Sequence, residues 1–276
     1  MISYPLSVER TWRRWFLRSE TDRLLTCSMC FSCGLVVLRM IHAHSLLFVF
    51  MIWNLFLAYV PYVLSCWLTG RFEGRASWSP QRLAGGTSCQ SPRLGRPLAK
   101  SLSSPIRSRP LFIVAVCLVW LLFFPNAFYM LTDLFHLHDS RNPRVPEWFD
   151  LAMIFSFAWN GLVLGVLSLR QMEKLLETKR LATAIFGRRL RVPLPYPTAI
   201  FIYPVIGLSA LGVYTGRYLR YNSWDIVSNP FQLMEDISGM IIHPLRNRPA
   251  WDMILCYAIL LSFVYIMLKK LSRALA

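Results

Sequence analysis

This sequence predicts an all-α fold, a polytopic bundle of about six transmembrane helices with both termini in the cytoplasm, and three observations lead to it. Six apolar runs have the length that crosses a bilayer core, about 17 to 25 residues: Leu24–Met40, Ser45–Leu68, Leu111–Leu131, Phe149–Leu169, Thr198–Thr215 and Trp251–Leu268. Only 16% of the residues are charged, well below the quarter or so usual in soluble domains. Most of the 30 Lys and Arg residues fall before the first run and on alternate connections, the asymmetry that fixes orientation through the positive-inside rule.

The stretch 1–23 is basic and aromatic, with Trp12 and Trp15 suited to the headgroup level. Its Arg13-Arg14 pair resembles a twin-arginine signal, but Glu20, Asp22 and Arg23 follow and no small-residue cleavage pattern closes the next run. It reads as a cytoplasmic lead-in. Helices one and two occupy 24–69; the first is the weakest span, since it holds Ser28, Ser32 and Gly34, and its Cys27, Cys30 and Cys33 read as small packing residues. The segment 70–110 is dense in Ser, Pro, Gly and Arg with Glu73 its only acid. No apolar face can be drawn through it, so it is expected to be a disordered basic cytoplasmic insertion.

Residues 111–276 carry helices three to six and the outer loops with the polar motifs. The connection after helix four begins as a charged helical extension, Glu173-Lys174 to Glu177, and ends on Pro193, Pro195 and Pro197. The outer segment after helix five contains Pro230–His243, apolar but too short to cross, which is expected on or in the membrane surface.

The formal charge of +16 follows from this topology together with attraction to anionic inner-leaflet lipid. Nucleic acid is therefore not an expected partner; the lipid bilayer is. A multi-pass protein of the plasma (inner) membrane is the localisation this implies.

Chemistry concentrates at the end of the third run. If that helix continues, Asn126, Tyr129, Asp133 and His136, at offsets of three, seven and ten residues, share an arc of roughly 80° at about 100° per residue. Asn54, Asn126 and Asn160 lie inside apolar runs, and an amide in hydrocarbon needs a partner. Gly161 and Gly165 form a GxxxG spacing that admits a close helix, either within the chain or as a face for self-association.

Asp133, His136, Asp150, Arg217, Arg220, Asn222 and Asp225 are expected near one interfacial level. Two readings stay open. Asp133 or Asp150 could pair with Arg217 or Arg220 and tie helix ends together. Alternatively Arg217 and Arg220, with Asn126, Tyr129, Asn160, Asn222 and Asp225, bind an anionic lipid headgroup or small envelope metabolite, while Asp133, His136 and Asp150 supply acid–base chemistry. A metal would find Asp133, His136 and His138, but no diagnostic ligand spacing accompanies them. The sequence names no cofactor.

Several motifs together resemble a known family: Pro125-Asn126, Tyr129, Thr132-Asp133 and His136-Leu137, then Trp148 and Asp150, then Phe157-Ala158-Trp159-Asn160-Gly161. Gly216-Arg217, Arg220, Asn222-Ser223-Trp224-Asp225 and Trp53-Asn54-Leu55-Phe56-Leu57-Ala58 fit it as well. The chain is similar to the uncharacterised bacterial membrane-protein family catalogued as domain of unknown function 1361, over helices two to six and without the lead-in or the 70–110 insertion. The resemblance implies a polytopic membrane fold and no established activity.

The expected function is an integral membrane protein with a polar pocket on the extracytoplasmic side. Its alternatives are a transporter or flippase built on an inverted three-plus-three repeat, hinted at by the partial likeness of Thr69–Trp78 to Thr215–Trp224, and a structural or partner-binding subunit.

Overall fold

The computed structural model describes residues 20–73, 110–137, 145–177 and 197–274. Most of the lead-in, nearly all of the basic insertion, His138 and the proline-rich connection lie outside them. Every regular element among the described residues is helical: Glu20–Ala43 (α1), Phe50–Glu73 (α2), Pro110–Tyr129 (α3) continued by a 3-10 segment Met130–Leu137, and Glu147–Glu177 (α4). Pro197–Arg217 (α5), Asp225–Ser228 (α6), Pro230–Ile242 (α7) and Arg248–Ala274 (α8) complete the set. Six stretches, α1, α2, α3 with its 3-10 continuation, α4, α5 and α8, are long and apolar enough to cross a membrane.

The bundle is organised around α4, which packs on α1, α2, α3 and the 3-10 segment and touches α5 and α8. Of its most apolar stretch 56% is buried, against 17% for α8, so α4 is the axis and α8 a peripheral helix whose other face is left to lipid. The glycines explain how α3 comes so close. A Cβ on Gly161 would stand 2.4 Å from the Ala127 carbonyl oxygen, and one on Gly165 would stand 2.7 Å from the Phe128 ring. The GxxxG spacing thus serves a contact within the chain. Within the chain, α3 covers that face at both glycines.

Polar groups inside the bundle are used as ties, as a low-dielectric interior requires. Trp120 Nε1 donates to Ser168 Oγ at 2.8 Å, and Ser168 Oγ donates to the Pro61 carbonyl at 3.0 Å, joining α3, α4 and α2. Asn160 Nδ2 donates to Ser32 Oγ at 2.8 Å and to the Ser28 carbonyl at 3.3 Å, fastening α1. Toward the C-terminal end of α4, the fully buried Glu173 accepts from Arg170, from Lys269 and from Tyr265 Oη. Removing charge from water is tolerated there only because each carboxylate oxygen is met.

The packing expected of the first-helix cysteines is only partly realised. Cys27 and Cys30 are exposed on α1 and Cys33 is half-buried.

Candidate functional site

The end of α3 does not continue as an α-helix. Thr132 Oγ1 donates to the Tyr129 carbonyl at 2.7 Å, and from Met130 the chain tightens to 3-10 geometry, near 120° per residue instead of 100°. That change breaks the predicted single stripe in two. Asn126 and Tyr129, still on α3, face a cavity. Asp133 and His136, three residues apart and eclipsed in a 3-10 helix, turn elsewhere.

The cavity has a volume of about 590 Å³, inside the range of small-molecule sites. Its back wall is α3, flanked by α2 on one side and α5 on the other; both pack on α3, and neither packs extensively on the other. The run along α3 from Leu118 to Tyr129 spans on the order of 16 Å. One end is aliphatic, with Leu118, Val119, Leu122, Leu208 and Leu211. The other is polar, with Asn54, Asn126, Tyr129, Thr215, Asn222 and Ser223. Leu233 and Ile237, four residues apart on α7, roof the polar end together with Tyr221 and Ile226. Among the described residues no Lys, Arg, Asp, Glu or His lines it.

Several hydrogen bonds fix the polar end. Asn126 Nδ2 donates to Ser223 Oγ at 2.8 Å and to the Phe123 carbonyl at 3.0 Å, holding the turn after α5 against α3. That turn passes through Arg220, which is exposed and has φ 59°, a left-handed conformation that usually falls to glycine. The Tyr221 amide then reaches back to the Thr215 carbonyl at 3.2 Å. Tyr221 Oη donates to Asp236 Oδ2 on α7 at 2.7 Å; this bond to a carboxylate, aided by partial desolvation and negative neighbours, pushes its phenol up to about 12. The Asn222 amide donates to Asp225 Oδ2 at 2.5 Å, and with Ser228 Oγ it holds the Asp225 carboxyl below the usual carboxylate range.

The charged candidates stand around the cavity, not in it. Asp133 is 1% exposed; its Oδ2 accepts from Asn54 Nδ2 at 3.4 Å and its Oδ1 has no partner among the described residues. Arg217 Nη1 lies 2.8 Å from His136 Nε2, with its guanidinium over the Phe135 ring. A guanidinium can only donate, so in this contact His136 Nε2 is the acceptor.

Asp150 and Asn160 do not join this group. Asp150 is held by Arg39, Nε to Oδ1 at 2.6 Å and Nη2 to Oδ2 at 3.0 Å, and not by Arg217 or Arg220; Asn160 faces α1. Neither therefore lines the predicted pocket, because each is committed to fastening α1 onto α4. Arg39 is the residue that sequence reasoning missed. Its signal was an arginine at the end of an apolar run, where a charge is kept only with a partner. Ser223 stands in a sequence motif but was given no site role, since that role comes from a contact with a helix 97 residues away. Among the described residues no three His, Cys, Asp or Glu side chains converge to hold a metal.

Helices of membrane length, polar groups paired inside the bundle and a cavity that is apolar along most of its length define an integral membrane protein. A family model described as a protein of unknown function, DUF1361, matches residues 97–264. That is more than half of the chain, and the chain belongs to this family. The matched region begins after α2, so the likeness seen at Trp53–Ala58 falls outside it, while the last part of the basic insertion falls inside. No curated protein and no solved structure matches the chain.

Proposed function

We propose that this membrane protein binds a lipid-like amphiphile, with the chain of the ligand in the aliphatic part of the cavity and its polar end against Asn126 and Tyr129. One observation carries the reading: a 590 Å³ cavity, graded from leucines to hydrogen-bonding side chains, between two helices that both pack on α3. Binding sites of this type combine a mostly apolar lining with a few convergent polar groups. The charge asymmetry of the sequence supports reading the polar end as extracytoplasmic, in a plasma (inner) membrane.

The test is lipid analysis by mass spectrometry of the full-length protein extracted in its native bilayer. A specific amphiphile should accompany the wild type and be lost from Leu122→Trp, which fills the aliphatic part, while Arg217→Ala, outside the lining, should retain it. Equal recovery of the same lipids from wild type and Leu122→Trp would remove the basis for this function.

A further inference from the structure

We propose that the cavity selects a neutral, hydroxyl-bearing lipid and disfavours an anionic one. This rests on the amphiphile-binding reading above and specifies the head group. The argument is an inventory of donors and acceptors at the polar end.

Several of the side-chain donors there are already engaged with the protein. Asn126 Nδ2 donates to Phe123 and Ser223, Ser223 Oγ to the Leu122 carbonyl at 3.4 Å, Thr215 Oγ1 to the Gly212 carbonyl at 3.0 Å, and Tyr221 Oη to Asp236. Asn54 directs Nδ2 at Asp133. An amide whose N–H is used this way offers its oxygen, and each amide oxygen has two lone pairs.

The backbone adds acceptors. Pro61 lies in α2 and Pro125 in α3. Each withdraws the amide proton that the carbonyl four residues earlier accepts in an unbroken helix. Those carbonyls belong to Leu57 and Leu121, and both leucines line the cavity. Backbone oxygens released inside a bilayer require a donor from elsewhere.

A ligand for such a surface must bring donors. An alcohol or glycerol head does so and keeps its own oxygens as acceptors for the Tyr129 hydroxyl. A carboxylate or phosphodiester head is mainly an acceptor and would set oxygen against oxygen. The cations that would compensate are turned away: Arg217 lies against His136 and Phe135, and Arg220 is on the exposed side of the turn.

The experiment uses the full-length protein in neutral detergent, titrated separately with monoolein, methyl oleate and oleate and read by native mass spectrometry. The three probes share a chain and differ in the head: hydroxyl donors, no donor, and an anion. Monoolein should bind at least tenfold more tightly than the other two. Asn126→Leu, with its helical content checked by circular dichroism, should bring its affinity down to that of methyl oleate, while Arg217→Ala, outside the lining, should keep the wild-type preference. Binding of methyl oleate or oleate as tight as that of monoolein overturns the head-group inference and leaves the cavity reading standing. Binding of none of the three overturns both.

Discussion

Arg39 and Asp150 face each other through two hydrogen bonds, at 2.6 and 3.0 Å, with only 2% and 3% of their side chains exposed. The Arg39 guanidinium also lies 4.2 Å from the centre of the Phe48 ring. The pair fastens the C-terminal part of α1 to the start of α4 and removes Asp150 from any chemistry at the cavity. Breaking one side of such a pair strands a buried charge, at a cost of about 3–5 kcal/mol. Arg39→Ala should lower the thermal unfolding midpoint in detergent sharply, whereas Arg39→Met combined with Asp150→Leu should recover most of the loss. A double variant no better than Arg39→Ala would mean that the pair is not what holds α1.

The two close-approach glycines should not be equivalent. At Gly161 an added methyl meets a backbone carbonyl, which cannot move without shifting α3; at Gly165 it meets the far edge of the Phe128 ring. Overpacking of this kind costs about 1–3 kcal/mol. Gly161→Ala is expected at or above the top of that range and Gly165→Ala nearer the bottom, as ranked by chemical or thermal unfolding in micelles.

The Asn160–Ser32 bond is a tie of ordinary strength for a membrane interior. A double-mutant cycle with Asn160→Ala and Ser32→Ala should give a coupling of about 0.6 kcal/mol. A coupling of zero would show that the 2.8 Å contact adds nothing beyond packing.

The outer turn should respond to acid through Asp225. Hydrogen bonds from Asn222 and Ser228 lower its folded-state value below the ordinary carboxylate range. A lowered acid stabilises the turn at every pH above its ordinary value, and that contribution fades as pH falls through the lowered one. The Asn222 amide resonance should therefore shift only in strongly acidic solution, and in Asp225→Asn the acid-dependent shift should be absent.

How much of this was legible depended on whether the deciding interaction was local. The six spans follow from run length alone, and α4 extends the predicted Phe149–Leu169 to Glu147–Glu177 without changing its identity. Asn126 and Tyr129 fall on one face because α3 keeps its 3.6-residue period that far. Asp133 and His136 were assigned to the same face because a 3-10 continuation cannot be told from an α-helix by composition, and the phase error accumulates at about 20° per residue. Asp133 or Asp150 could pair with Arg217 or Arg220 on the ground that all lie at one level of the bundle, but level does not fix azimuth. Only the packing of α1 on α4 decides that Arg39 arrives first.

The separation of that pair along the chain also bears on how the protein is made. Arg39 and Asp150 are 111 residues apart, so at about 5–20 residues per second the first helix waits on the order of ten seconds for its counter-charge. During that interval α1 and α2 stand without the helix that organises them, and the carboxylate that meets Arg39 in the finished bundle is not yet made. A nascent chain arrested before α4 should therefore stay within reach of the insertion machinery or of quality-control proteases, and release should coincide with the arrival of Asp150. Biogenesis, not the finished bundle, is where a carboxylate so fully buried would exert its largest effect.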